Sequence, residues 1–232
     1  PDDAKLKLLT RLRAEAWAAT ARTEQRPPDG DWRVWYLRGG RGSGKTRAGA
    51  ETLADWILAN EPGDWAIIAP TFGDARDICV EGPSGLRKAL GGAVENWNRS
   101  IGELYVRNGS KVHIDGADDG ALRIQGTNLR GAWCDEVGLW RNWRTAWEES
   151  IGFAVRLEPG LVIATGTPKT GHPLVKALLK DRSVAVSRMR TLDNAENLNE
   201  RALAALVAKY GDTRLGRQEL EGEFLEDVPG AL

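Results

Sequence analysis

The sequence predicts an α/β fold in three layers: a mainly parallel sheet with helices on both faces, an antiparallel hairpin at one edge and a small C-terminal lid. Three observations predict it. The β-prone run Val34-Trp35-Tyr36-Leu37 leads through a glycine-rich stretch into Ala48 to Ala59, where Ala50, Leu53, Ala54, Ile57 and Leu58 recur at helical spacing. Trp65 to Pro70 is a continuous apolar run, as expected of a strand buried on both faces. Asn108-Gly109, flanked by Glu103 to Val106 and Lys111 to Ile114, is the turn that closes a tight hairpin, which makes the sheet mixed.

The remaining elements follow in order. Residues 3–22 read as a helix with one apolar stripe (Leu6, Leu9, Leu12, Ala16, Ala19), ended ahead of Pro27-Pro28. Thr23 to Asp31 is a turn-rich connection, and Glu61-Pro62-Gly63-Asp64 is a turn. Thr71 to Leu90 holds short helices broken at Gly82-Pro83. Residues 131–136, Gly-Ala-Trp-Cys-Asp-Glu, are a short hydrophobic strand ending in two acids, and Leu161 to Thr165 is a further strand. From His172 the chain reads as helix (Pro173 to Lys180), strand (Ser183 to Met189) and two helices (Leu198 to Tyr210, Thr213 to Glu221), taken together as a lid on the nucleotide side. The expected organisation is a core over residues 1–170, a lid over 171–228 and the start of a linker at 229–232, in a chain that is one domain of a longer protein.

Composition is that of an ordinary globular protein: 232 residues, 41% hydrophobic and 28% charged, with a net charge of −1. That balance excludes a chain that binds nucleic acid through its overall charge, so any such contact must come from a local basic patch or a partner. No window approaches the length of a membrane span. Cys79 and Cys134 lack metal-ligand spacing and read as reduced core residues of an intracellular protein. Four of the ten tryptophans, Trp133, Trp140, Trp143 and Trp147, crowd together; packing of a helix against the sheet is the favoured reading over a stacking platform for bases.

The chemistry begins at Gly39-Gly40-Arg41-Gly42-Ser43-Gly44-Lys45-Thr46, which fits G-x-x-x-x-G-K-[ST]. Glycines let successive backbone N–H groups turn inward as an anion nest, and the following helix adds its positive N-terminal end. Lys45 would reach the β- and γ-phosphates, and the Thr46 hydroxyl would hold Mg²⁺. Asp135-Glu136 is the matching second element: Asp135 for the metal, through water or the Thr46 hydroxyl, and Glu136 as the general base that polarises the attacking water. This is a P-loop NTPase pattern, and the acid pair favours ATP hydrolysis over phosphate transfer to an acceptor. A guanine-reading Asn-Lys pair does not occur. Thr165-Gly166-Thr167-Pro168 puts hydroxyls at a strand tip, where they could touch the γ-phosphate or the lytic water, or form a plain turn. Gln25 could read adenine with its amide, or be a solvated loop residue.

Gln25 with Pro27-Pro28, G-D-W-R leading into G-G-R-G-S-G-K-T-R-A-G-A-E, L-R-G-A-W-C-D-E, A-T-G-T-P and R-Q-E-L-E-G-E-F-L together resemble the ATPase half of a phage large terminase subunit, over about residues 14–228. The resemblance implies an ATP- and Mg²⁺-dependent motor that drives double-stranded DNA into a procapsid. Its expected partners are DNA, a portal protein and a small terminase subunit. It would form a homo-oligomeric ring on the capsid and be a monomer in isolation, in the cytoplasm of an infected bacterium. It further implies that Gln25 contacts adenine, that Arg41 senses the γ-phosphate, that Thr165 and Thr167 couple hydrolysis to motion, and that a neighbouring subunit inserts an arginine finger, for which Arg123 is the preferred candidate beside Arg130 and the cis Arg41. Arg130 adjoins the strand and reads as a cap. The nuclease half of such proteins has no counterpart in this sequence. The rivals are a helicase-like or remodelling ATPase, for which a second motor domain is missing, and a non-hydrolysing nucleotide-gated docking module, which gains little from Glu136.

Overall fold

A computed structural model describes residues 2–225 of the chain; the linker expected at 229–232 lies outside the described residues. One eight-stranded sheet organises them, in the order β3-β4-β5-β2-β6-β7-β1-β8. The strands are β1 Val34–Gly39, β2 Asp64–Ala69, β3 Val94–Asn98, β4 Glu103–Val106, β5 Lys111–Gly116, β6 Leu129–Cys134, β7 Leu161–Gly166 and β8 Val184–Met189. From β5 to β8 every neighbouring pair is parallel, whereas β3, β4 and β5 pair antiparallel. The expected edge hairpin is therefore β4 and β5, turned at Gly109 (φ +91°), where Asn108 Oδ1 accepts from Ser110 N–H. The edge also carries β3, which the sequence pattern did not predict: Val-Glu-Asn-Trp-Asn is mostly exposed and has too little apolar alternation to announce a strand.

Helices cover both faces. α2 (Lys45–Ala59) packs Ala50, Leu53 and Ile57 against Trp35, Leu37, Trp65, Ile67 and Trp133. The opposite face carries Tyr36, Ala66, Ile68, Ala132 and Ala164, covered by Leu174, Val175 and Leu178 of the helix Pro173–Lys180 and by Trp140. Buried residues on both sides explain why the central strands read as unbroken apolar runs.

Two expectations are corrected. The strand assigned to the lid, β8, lies inside the main sheet, paired with β1 from Val34↔Val184 to Gly39↔Met189. The sheet therefore includes β8, and the segment that follows returns to it, with Phe224 packed on the core and Glu221 O accepting from Arg188 Nε. Helix α1 (Asp2–Thr20) exists, but most of its apolar stripe does not dock: Leu9 and Leu12 are exposed. Of the stripe, Leu6 packs against the core, and polar anchoring adds to it. Arg13 bridges Glu51 (2.8 Å) and Asp55 on α2 and donates to Ala89 O (2.9 Å), and Arg47 pairs with the same Glu51. Burial raises the Glu51 carboxyl against the pull of the two guanidinium groups.

Gly49 on α2 faces the Trp133 ring, and a Cβ there would come within 2.5 Å of the indole. Gly49→Ala removes a helix penalty of about 1 kcal/mol, yet overpacking a rigid buried ring costs about 1–3 kcal/mol. The expected outcome is a lower urea midpoint with an unchanged slope.

Candidate active site

In a parallel sheet the carboxyl ends of the strands share one side, and sites form there. Gly39, Cys134 and Gly166 end β1, β6 and β7, which lie in the order β6-β7-β1, so the glycine loop, Asp135-Glu136 and Thr167 emerge next to one another. They border a cleft of about 590 Å³ lined by Arg41, Gly42, Gly44, Lys45, Thr46, Arg47, Glu136, Thr167 and Lys169, with Ser84 and Leu139. Asn194, Asn197 and Leu198 close one wall.

The loop's carbonyl oxygens are tied down from outside. Thr191 Oγ donates to Arg41 O (2.7 Å), Asn194 Nδ2 to Gly42 O (2.7 Å), Arg22 Nη2 to Ser43 O (2.5 Å) and Gln25 Nε2 to Gly44 O (3.3 Å). Buried Lys45 turns its ammonium onto Gly39 O (3.1 Å) and Gly40 O (2.9 Å), and the Ser43 hydroxyl also bonds Gly40 O. Gly42 (φ +71°) and Gly44 (φ +93°) take the left-handed backbone that the turn requires, and among the described residues their N–H groups find no acceptor. Unpaired amides beside a buried ammonium fit a polyphosphate. Gly39 and Gly40 sit behind this nest: Gly40 N–H bonds Met189 O, and a Cβ on Gly40 would strike Leu220 O at 2.3 Å.

Glu136 adopts a left-handed backbone (φ +47°), rare for a residue with a side chain. Its Oε2 accepts from Thr167 N–H (3.2 Å) and its Oε1 lies 3.7 Å from Lys45 Nζ. Asp135 is buried behind the cleft, with Oδ1 bonded by the Thr165 hydroxyl (2.5 Å) and Oδ2 by the Cys79 thiol (3.5 Å). Burial, and then the charge of Glu136, push its carboxyl up to about 6, against the opposing pull of Thr165, Lys45 and Cys79. Burial likewise raises the Cys79 thiol, helped by Asp135. Among the described residues no cluster of three or more His, Cys, Asp or Glu side chains could cage a metal. One hydroxyl and one carboxylate, completed by phosphate oxygens and water, suit Mg²⁺, which retains waters and rarely takes an all-protein cage.

Several predicted residues sit elsewhere than expected. Gln25 is buried beside Gly44, but its amide is committed to Arg22 N and Gly44 O and does not line the cleft. Thr165 is fully buried and turned onto Asp135, away from the cleft, whereas Thr167 lines it. Arg41 is exposed and pairs with Glu219 Oε2 (2.8 Å), while Lys169 engages the other oxygen, Oε1 (2.5 Å). Burial would raise the Glu219 carboxyl, but hydrogen bonds from Lys169, Arg41 and Gln218 hold it at about 2. Arg123 is on the surface beyond β5, its guanidinium 5.2 Å from the Phe72 ring centroid and donating to Ile101 O. Arg130 lies at the start of β6, on Pro62 O and Glu158 O, at the far end from the cleft. On the surface, Arg99 near the hairpin pairs with Asp77 and Glu81, and Arg141 after the acid pair pairs with Asp118.

Sequence reasoning missed the wall Asn194-Asn197-Leu198 and the roles of Trp133 and Trp140. The Trp140 indole donates to Asp135 O (2.9 Å) and that of Trp133 to Thr165 Oγ (3.0 Å). The crowding of tryptophans around Asp135-Glu136 was the one available signal.

The Asp135 carboxyl is raised in the folded chain above its ordinary 3.8, so the folded state binds the extra proton and this group's contribution to stability falls as pH rises from about 4 to 6. Without metal, Asp135→Asn is therefore expected to be more stable than the parent above pH 6, by about 3 kcal/mol at most. The advantage should vanish below pH 4, as read by chemical denaturation in EDTA.

Known proteins share this architecture. The ATPase domain of the Thermus phage P74-26 large terminase superposes with a TM-score of 0.66 at 18% identity, covering 86% of this chain and 94% of that one. The large terminase of another thermophilic bacteriophage, in complex with ADP, gives 0.68 at 15% identity and covers 93% of this chain, which spans about half (53%) of that protein. The HK97 bacteriophage large terminase gives 0.54 at 16% identity, covering 82% of this chain and 46% of that one. At these identities the likeness establishes the fold. Comparison with curated protein sequences finds no match. Residues 36–232 match the family model described as terminase large subunit, T4likevirus-type, N-terminal, and with most of its length so matched the chain belongs to that family.

Proposed function

We propose that this chain is the ATPase motor domain of a viral DNA-packaging machine, hydrolysing ATP with Mg²⁺ to move double-stranded DNA into a procapsid. The observation that carries the reading is Glu136: a strained backbone and the Thr167 amide hold its carboxylate at the cleft, 3.7 Å from the buried lysine of the glycine loop. A base fixed beside the site of the terminal phosphate is what water attack requires. The thermophilic bacteriophage terminase solved with ADP also has a structure with ATP-gamma-S, which supports a nucleotide in the corresponding cleft here.

In this reading Lys45 and the amides of Gly42 to Thr46 bind phosphate, and Thr46 with Asp135 holds the metal. The metal, when bound, screens the phosphate charge. Glu136 takes a proton from water, Arg41 leaves Glu219 to meet the γ-phosphate, and Thr167 senses it from beside Glu136. Gln25 holds the floor of the loop, and an adenine contact would require its amide to exchange its present bonds. Exposed Arg123 is the finger offered to a neighbour in a ring; Arg130, at the far end of its strand, is badly placed for that. Residues 192–225 serve as the lid. A portal protein and a small terminase subunit are the expected docking partners, in the host cytoplasm. Among the described residues no helix is long and apolar enough to cross a membrane.

Two outcomes test this. Glu136→Ala is expected to bind a fluorescent ATP analogue like the parent and to lose turnover by about 10²- to 10⁴-fold; near-parental turnover overturns the assignment of the base. Parental activity per molecule is expected to rise with protein concentration and with added double-stranded DNA, and Arg123→Ala is expected to abolish the concentration dependence while leaving nucleotide binding intact.

A further inference from the structure

The Thr165 side chain does not reach the cleft, and what it touches instead is informative. Its oxygen receives the indole N–H of Trp133 at 3.0 Å and lies 2.5 Å from Asp135 Oδ1. Thr165 and Trp133 are both fully buried, so water cannot substitute for either bond. A hydroxyl carries one hydrogen. With one lone-pair direction occupied by the indole, that hydrogen is directed to Asp135 Oδ1, the near acceptor, over Cys134 O at 3.4 Å. The edge of the indole that carries Nε1 lies against Gly49 of α2, where a Cβ would come within 2.5 Å of it. Oδ1 is therefore engaged by a short bond, while Oδ2 meets only a weak thiol donor at 3.5 Å and keeps bonding capacity to spare.

We propose that Trp133 and Thr165 are positioning residues for the metal-binding carboxylate: a chain from indole to hydroxyl to Asp135 that fixes the carboxylate plane and reserves Oδ2 for the ion's shell. This rests on the function proposed above, and it moves Thr165 from a contact with phosphate to an action through Asp135. The strand tip of β7 is then linked to the metal side of the site by Thr165 and to the water side by the Thr167 amide on Glu136, two residues apart.

The test measures the Mg²⁺ concentration needed for tight binding of a fluorescent ATP analogue, with the affinity in EDTA measured alongside. Thr165→Val keeps the shape and removes the hydroxyl; the Mg²⁺ requirement is expected to rise about tenfold or more, as for other partners that orient a metal ligand, with affinity in EDTA unchanged. Thr165→Ser is expected to restore the parental requirement. Trp133→Phe is expected to raise it in the same direction, and Trp133→Phe combined with Thr165→Val to be no worse than Thr165→Val alone, because the indole acts through the hydroxyl. An unchanged Mg²⁺ requirement in Thr165→Val, or an equal loss with and without Mg²⁺, overturns the proposal; an additive double variant removes Trp133 from it. Should Trp133→Phe not fold, the Val and Ser variants at position 165 decide. A parental chain that shows no Mg²⁺-dependent nucleotide binding overturns the functional reading itself, and does so before any variant is compared.

Discussion

A backbone loop can present its amides to an anion only if its carbonyls are kept out of the way, and that constraint shapes much of this molecule. Free carbonyls from Gly39 to Gly44 would instead turn negative dipoles toward a bound anion. Here each from Gly39 to Gly44 is engaged by a donor: Lys45, Ser43, Thr191, Asn194, Arg22 or Gln25. Charged or polar groups buried beside a glycine loop are costly unless bonded, and these bonds satisfy donor and acceptor together. The loop's shape is thus held partly by its own Ser43 and Lys45 and partly by residues distant in sequence.

The same economy governs the acids. Asp135 and Glu136 are adjacent yet live in different environments, one buried with a hydroxyl and a thiol on its carboxylate and the Trp140 indole on its backbone oxygen, the other at the cleft edge on a backbone amide and near an ammonium. The left-handed turn at Glu136 sends the two side chains apart. Neighbouring carboxylates given distinct surroundings can take distinct tasks.

Much of this is legible in the residues. The glycine loop, the strand ahead of it and the helix after it follow from spacing and apolar period, as do β2, β6 and β7 and the Asn108-Gly109 turn, because each is decided locally. What escapes is decided by distant partners. β8 reads as part of a lid because a strand's place in a sheet depends on its neighbours, and nothing in Val184 to Met189 announces β1. The leucines of α1 suggest a buried stripe, whereas only Leu6 packs on the core and Arg13 adds ion pairs to acids on α2. The hydroxyl of Thr165 reads as facing phosphate; its true direction depends on an indole from the next strand.

The bonds that shape the glycine loop come from residues far apart along the polypeptide: Arg22 and Gln25 before it, Thr191 and Asn194 some 150 positions beyond it, and Glu219 O, which accepts from Arg41 N–H. As the chain leaves a ribosome, β1 and α2 are made long before the segment that braces them. The early half would emerge with a slack, unbraced loop, and competence to hold a ligand would arrive only when the last third of the domain had been synthesised and had folded back over it.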